Sequence, residues 1–263
     1  MNKKNDTVKK IIDNQYSSDK IFQIAKEGYQ TGPVENFVKM NPSDRNKIKL
    51  LRGHMYFGAH KYFDGDTYYF GLVRNPIERM ISFYNEVTSR DREWFPKDER
   101  KTFKDFIENV DKYHFQGNNG QTRALAGENV EEKDIFNNAL KNIEDHFFMV
   151  AITERFEEAL LLICKYLNWS YPYFVKRKVS RKTLTMDIIS EEDRKLVLQK
   201  NQLDIKLYAY VSEEFDKLVD VNKKYIIKQK RVLSIINLFY KFYFNASSKL
   251  KKILRPLLKI KFR

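Results

Sequence analysis

The chain has one cysteine, Cys164, so no disulfide can form within it, and only nine glycines and six prolines in 263 residues. A collagen-like or low-complexity chain is excluded by that scarcity. No run of about 20 apolar residues occurs, so no membrane-spanning helix is expected. The opening Met-Asn-Lys-Lys-Asn-Asp has no apolar stretch behind it of the kind a signal peptide needs. No internal repeat is visible and no Pro/Gly/Ser-rich linker divides the first 230 residues. A globular protein in a reducing, cytoplasmic compartment is the expectation.

What is present is enough for a core. Hydrophobic residues make up 42% of the chain and aromatics 14%, which at this length suits one large domain or a domain with an appendage. Lys and Arg number 49 against 35 Asp and Glu, a formal charge of +14. Nucleotides, anionic lipid, anionic polysaccharide and nucleic acid would all be attracted by that excess. General enrichment in Lys explains part of it equally well. No DNA- or RNA-binding motif accompanies the charge, so nucleic acid is not an expected partner.

Apolar runs at Ile48 to Leu51, Tyr68 to Val73 and Phe147 to Ile152 read as strands, each followed at some distance by helical spacing. That alternation is the signature of an open parallel sheet flanked by helices, in which ligands bind beyond the carboxyl ends of the strands. The charged segment from Thr88 to Asp105 reads as a surface excursion.

After the second run comes Arg74-Asn75-Pro76. Asn75 suits an N-cap, Pro76 the first helical position, and Glu78 could reach back to the cap's own N–H. Ile77, Met80, Ile81, Tyr84 and Thr88 recur at helical spacing and would face the sheet. Ser82 lies roughly 140° around the helix from Ile77, off that stripe. Arg74, at a strand's end beside a helix N-terminus, offers a planar guanidinium suited to a phosphate. Taken singly, each also fits an ordinary surface residue.

The order Arg74-Asn75-Pro76-x-x-Arg79-x-x-Ser82-x-Tyr84 resembles the site that grips the 3′-phosphate of PAPS (3′-phosphoadenosine 5′-phosphosulfate) in the group containing the heparan sulfate 2-O- and 6-O-sulfotransferases and their bacterial relatives. The resemblance implies that Arg74 and Ser82 bind that phosphate. Leu51-Arg-Gly-His-Met-Tyr-Phe-Gly-Ala-His60 is similar to the family's Gly-His segment, which makes His54 the base that takes the acceptor's proton, a task suited to imidazole. His60 is expected to be structural. Asn118-Asn-Gly-Gln-Thr-Arg resembles the 6-O group's segment near acceptor and donor, nominating Gln121, Thr122 and Arg123, although such dense polar residues also satisfy loop backbone. The basic cluster from Lys176 resembles a loop closing over PAPS, nominating Arg181, Lys182 and Thr183; a solvated basic loop fits as well.

The family implies a P-loop-NTPase-like α/β fold, a carbohydrate or polysaccharide acceptor, and no metal. Its usual opening strand and Pro-Lys-Thr-Gly-Gly-Thr-like loop, which cradle the 5′-phosphosulfate, have no counterpart here, and no GxxxxGK[ST] loop substitutes. The N-terminal strand and loop are therefore expected to be missing. A catalytically impaired homologue, binding nucleotide or polyanion at a membrane surface, is the alternative.

Two domains are expected: 1–228 as the sulfotransferase-like body and 229–263 as a basic, aromatic-rich helical tail broken at Pro256. The tail fits either a helix packed on the body or peripheral membrane contact.

Overall fold

The computed structural model describes residues 11, 15–24, 34–53, 55–89, 95–170 and 184–245. Four strands pair in parallel: β1 (Ile21–Gln23) with β2 (Leu50–Arg52), and β3 (Tyr69–Val73) with β4 (Phe147–Ile152). Short helices α1 (Val34–Val38) and α2 (Pro42–Arg45) lie between β1 and β2. Helix α3 (Pro76–Ser89) follows β3, and α4 (Phe103–Tyr113), α5 (Gly120–Ala126) and α6 (Ile135–His146) lead to β4. Then come α7 (Phe156–Tyr166), α8 (Glu191–Lys200), α9 (Gln202–Val221) and α10 (Lys223–Asn245).

The class is α/β, mostly helical, with the three expected strands in place. Among the described residues the four strands form two separate two-stranded sheets rather than one open sheet. Strands β1 and β2 have only three residues each, which leaves a ladder of few bonds. Gly53 ends β2 with φ +151°, and a Cβ there would stand 2.6 Å from the Ile24 carbonyl oxygen. Only glycine permits both that conformation and that approach, so the chain leaves the ladder immediately before position 54.

One compact unit comprises Asp19–Glu154 and Arg181–Glu213 and holds all four strands. Its core joins Ile77, Met80, Ile81, Phe83 and Val87 of α3 to Phe103, Phe106, Ile107 and Val110 of α4 and Val197 of α8. Phe83 meets Phe106 edge-on at 5.4 Å between ring centroids. The apolar arc of α3 is thus wider than the stripe expected, because helices cover it on two sides. Helix α4 starts at a capping box in which Asp105 N–H donates to Thr102 Oγ1 and Thr102 N–H to Asp105 Oδ2. The expected excursion before it sends Phe95 and Phe103 into the core; its charged residues hide two aromatic anchors. Truncating the fully buried Phe106 to Ala should cost about 3–5 kcal/mol.

The second unit comprises Met1–Ser18, Arg155–Ser180 and Glu214–Arg263. Helix α7 is buried from Ala159 to Cys164, and Ile11, Leu160 and Cys164 pack with Phe156 and Trp169. Burial pushes the Cys164 thiol up to about 12, so it stays a protonated, unreactive core residue. Glu158 accepts hydrogen bonds from Lys230 at 2.7 Å and from Arg155, which also pairs with Asp216. Burial alone would raise the Glu158 carboxyl, but these cations win and hold it below the usual range. Among the described residues no helix is long and apolar enough to cross a membrane.

Candidate functional site

The turn from β3 into α3 is tied down from three directions. Asn75 caps the helix: its Oδ1 accepts from Ile77 N–H at 3.0 Å and Glu78 N–H at 3.4 Å. The Asn75 N–H donates to Glu154 Oε1 at 3.0 Å, from the short 3-10 turn Thr153–Arg155 that follows β4. The cap spacing suggested that Glu78 would take this N–H. Instead both Nε and Nη2 of Arg74 reach Glu78 Oε2, at 3.1 and 2.9 Å, because a guanidinium attracts a carboxylate more strongly than a neutral amide does.

The third support is Gln121. Arg74 N–H donates to Gln121 Oε1 at 2.8 Å, and Gln121 Nε2 donates to the Arg74 carbonyl at 2.9 Å. One side-chain amide thus satisfies both backbone groups of Arg74, as a neighbouring strand would. The backbone is fixed while the side chain is not. The guanidinium, 21% exposed, is held among the described residues only by a carboxylate that is itself 37% exposed.

Ser82 sits six residues beyond Pro76, about 9 Å along the helix axis at ~1.5 Å per residue. It is half-buried, and its hydroxyl has no hydrogen-bond partner among the described residues. Negative charge also faces the turn. Burial and the Glu154 carboxylate, which the Tyr208 phenol meets, push that phenol up, with a smaller push from Glu78.

The 118–123 segment is organised differently. Asn119 adopts the left-handed conformation, φ 49°. Its Oδ1 accepts from Leu203 N–H at 2.8 Å and Asp204 N–H at 3.2 Å, capping α9. Asn201 Oδ1 accepts from Asn119 N–H at 3.1 Å in return. Asp204, wholly buried, accepts from Thr122 N–H at 2.8 Å, Thr122 Oγ1 at 2.7 Å and Gln121 N–H at 3.2 Å. The two helices α5 and α9 therefore cap each other's first turns. The Arg79 guanidinium lies 4.0 Å from Asp204 and donates to the Gln116 carbonyl at 2.8 Å. Burial lowers Arg79 from its ordinary value, against the pull of Asp204.

Of the three residues expected near ligand in this segment, Gln121 is spent on the Arg74 backbone and Thr122 is enclosed with Asp204. Arg123 is half-buried, with Nη2 at 2.7 Å from both Glu132 oxygens. His54, Arg181, Lys182 and Thr183 lie outside the described residues. His60 stacks on His146 at 4.7 Å, with Nδ1 3.0 Å from the Tyr69 hydroxyl. Burial first, then the neighbouring His146 and Lys61, lowers its pKa, so it sits as a neutral ring in an aromatic cluster with Phe57 and Tyr69.

Chemically, the β3–α3 turn offers a guanidinium on a clamped backbone, beside the start of a fourteen-residue helix whose first amides are filled by Asn75 and Glu154, with the Ser82 hydroxyl about 9 Å further along the axis. A guanidinium and a hydroxyl are donors that suit a phosphate. Sequence reasoning missed Glu154 and Asp204. Glu154 could have been suspected from its place after β4, matching that of Arg74 after β3. Asp204 reads as an ordinary first-turn acid, and nothing local betrays its partners. Among the described residues no group of three or more His, Cys, Asp or Glu could hold a metal.

Comparison with known proteins bears on the chain as a whole. Galactose-3-O-sulfotransferase 2 of Mus musculus is 22% identical over 194 residues, covering 68% of this chain and 48% of the relative. The chain therefore spans about half the length of the curated relative it matches. A model described as the sulfotransferase family matches residues 14–211, a stretch that contains both strand pairs, the β3–α3 turn and the α5–α9 caps. With so much of its length matched, the chain belongs to the sulfotransferase family.

Proposed function

We propose that the protein transfers a sulfuryl group from PAPS to a hydroxyl of a carbohydrate or polysaccharide, with Arg74 and Ser82 holding the donor's 3′-phosphate. The observation that carries this reading is the half-held guanidinium of Arg74. Its backbone is clamped by Gln121, its side chain is restrained by one partly exposed carboxylate, and a phosphate arriving at the helix N-terminus would exchange one anion for another.

In the proposed step the acceptor oxygen bonds to sulfur as the bond from sulfur to the 5′-phosphate oxygen breaks. His54 takes the acceptor's proton, and 3′-phosphoadenosine 5′-phosphate (PAP) leaves. Gln121 positions Arg74, Thr122 locks α5 from behind, and Arg123 is the member of that trio left to meet the acceptor. Arg181, Lys182 and Thr183 cover the donor. The P-loop-NTPase-like class belongs to this reading, as does the division into a body, 1–228, and a basic tail, 229–263. The mouse relative's name, galactose-3-O-sulfotransferase, favours a sugar acceptor. The residues assigned here serve the 3′-phosphate, so donor binding is the first thing to test.

Saturating PAP, at about a hundred times its Kd, should stabilise the protein by ~2.7 kcal/mol, a rise in Tm of about 5–10 °C for a chain of this size. Arg74→Ala should abolish the rise. His54→Ala should keep it yet lose transfer of radiolabelled sulfate from PAPS to a galactose-containing oligosaccharide. A wild-type melting curve unmoved by PAP would remove the donor site and the assignment with it.

A further inference from the structure

The formal charge of +14 is not spread over the molecule. Residues 223–263 carry 13 of the 49 basic residues and none of the 35 acidic ones, so residues 1–222 are balanced at 36 against 35. The excess therefore begins with α10.

On α10 the exposed residues share one side. Lys224, Ile227, Lys228, Arg231, Ile235 and Leu238 are all exposed, and at roughly 100° per residue they fall within an arc of about 100°. Ile235 is 69% exposed and Leu238 71%. The other side is committed inward: Ile226 and Leu233 are buried, Lys230 pairs with Glu158 at 2.7 Å, and the Lys165 ammonium lies over the Tyr225 ring. No acidic side chain interrupts the outer face.

We infer that this face of α10 is a docking surface for an anionic phospholipid bilayer. Basic and apolar side chains interleaved on a single helical face fit the boundary between headgroups and acyl chains, where the cations meet lipid phosphate and the aliphatics enter the hydrocarbon. Lysine and arginine stems reach back to the headgroups as the helix settles. A hydrated anionic polysaccharide would use the cations and leave Ile227, Ile235 and Leu238 in water, so charge and apolarity together select lipid. The inference rests on the reading of the C-terminal tail as a membrane contact and narrows that contact to a defined face.

Flotation of the full chain with vesicles of phosphatidylcholine containing about 30 mol% phosphatidylserine tests it, with pure phosphatidylcholine as the comparison. The chain should float with the anionic vesicles and not with the neutral ones. Lys228→Gln/Arg231→Gln should lower partitioning by more than tenfold, at roughly fivefold per cation. Ile235→Ser/Leu238→Ser should lower it at least tenfold, with the melting temperature and the PAP shift unchanged. If the serine variant floats like wild type while a chain ending at Asn245 does not float, the tail reading stands and the assignment to this face is overturned. No flotation of the wild type overturns both. Retention of the wild type on an anionic polysaccharide without vesicle binding, or a dimer that the serine variant dissociates, would assign the face to those occupants and overturn lipid.

Discussion

Two helix N-termini in the strand-bearing unit look alike as sequence and differ as chemistry. Both follow short polar segments, Arg74-Asn75 before α3 and Asn118-Asn119 before α5. At α5 the donors are filled from within: buried Asp204 takes two N–H groups and a hydroxyl, and Asn119 and Asn201 complete the exchange with α9. At α3 the cap is made by Asn75, but the charged group beside it rests on a carboxylate that water also reaches. A closed terminus contributes stability, whereas an open one can trade its anion. The density of polar residues, which made both segments conspicuous, does not separate the two cases; the burial of their partners does.

The largest way to break this contrast is Asp204→Ala. It would leave two amides, a hydroxyl and the buried Arg79 without their carboxylate, at a cost of about 3–5 kcal/mol, read as a shift in the urea midpoint with unchanged m-value. A loss below about 1 kcal/mol would mean that the α5 terminus is as open as the α3 terminus. Next in size is Gln121→Ala, which removes both bonds to the Arg74 backbone. Stability should fall by about 1–2 kcal/mol, while PAP affinity, measured by calorimetry, should fall more than tenfold because the guanidinium loses its fixed base. Equal, small losses in both would make Gln121 a scaffold residue with no bearing on the donor.

How much of this could be read beforehand follows from the range over which each signal acts. The β3–α3 turn was legible because its instructions are local: an apolar run, a cap, a proline at the first helical position. The parallel strands were legible from their apolar runs, yet β1, three residues ending in Gln23, carries too little pattern to stand out. Phe95 and Phe103 were hidden by the charges around them, since a lone aromatic in a polar stretch has no period. The Asp204 bonds join residues more than eighty positions apart, a distance over which spacing says nothing. Family likeness supplied what local chemistry could not, the proposal that Arg74 and Ser82 serve one phosphate.

The smallest predicted effect is the most discriminating, because it concerns the one ion pair that the contrast depends on. Glu78 takes two of the five donors of the Arg74 guanidinium, so a 3′-phosphate would share the guanidinium with that carboxylate or displace it. Partly exposed pairs of this kind contribute up to about 1 kcal/mol, which bounds the competition. Glu78→Gln keeps the shape and removes the charge, and also relieves the repulsion between the carboxylate and the incoming phosphate. Affinity for PAP should therefore rise, by no more than about fivefold, with the gain shrinking as salt screens the exposed charges. A loss of affinity instead would mean that Glu78 aims the guanidinium rather than competing for it, and the α3 terminus would then be a preset cradle.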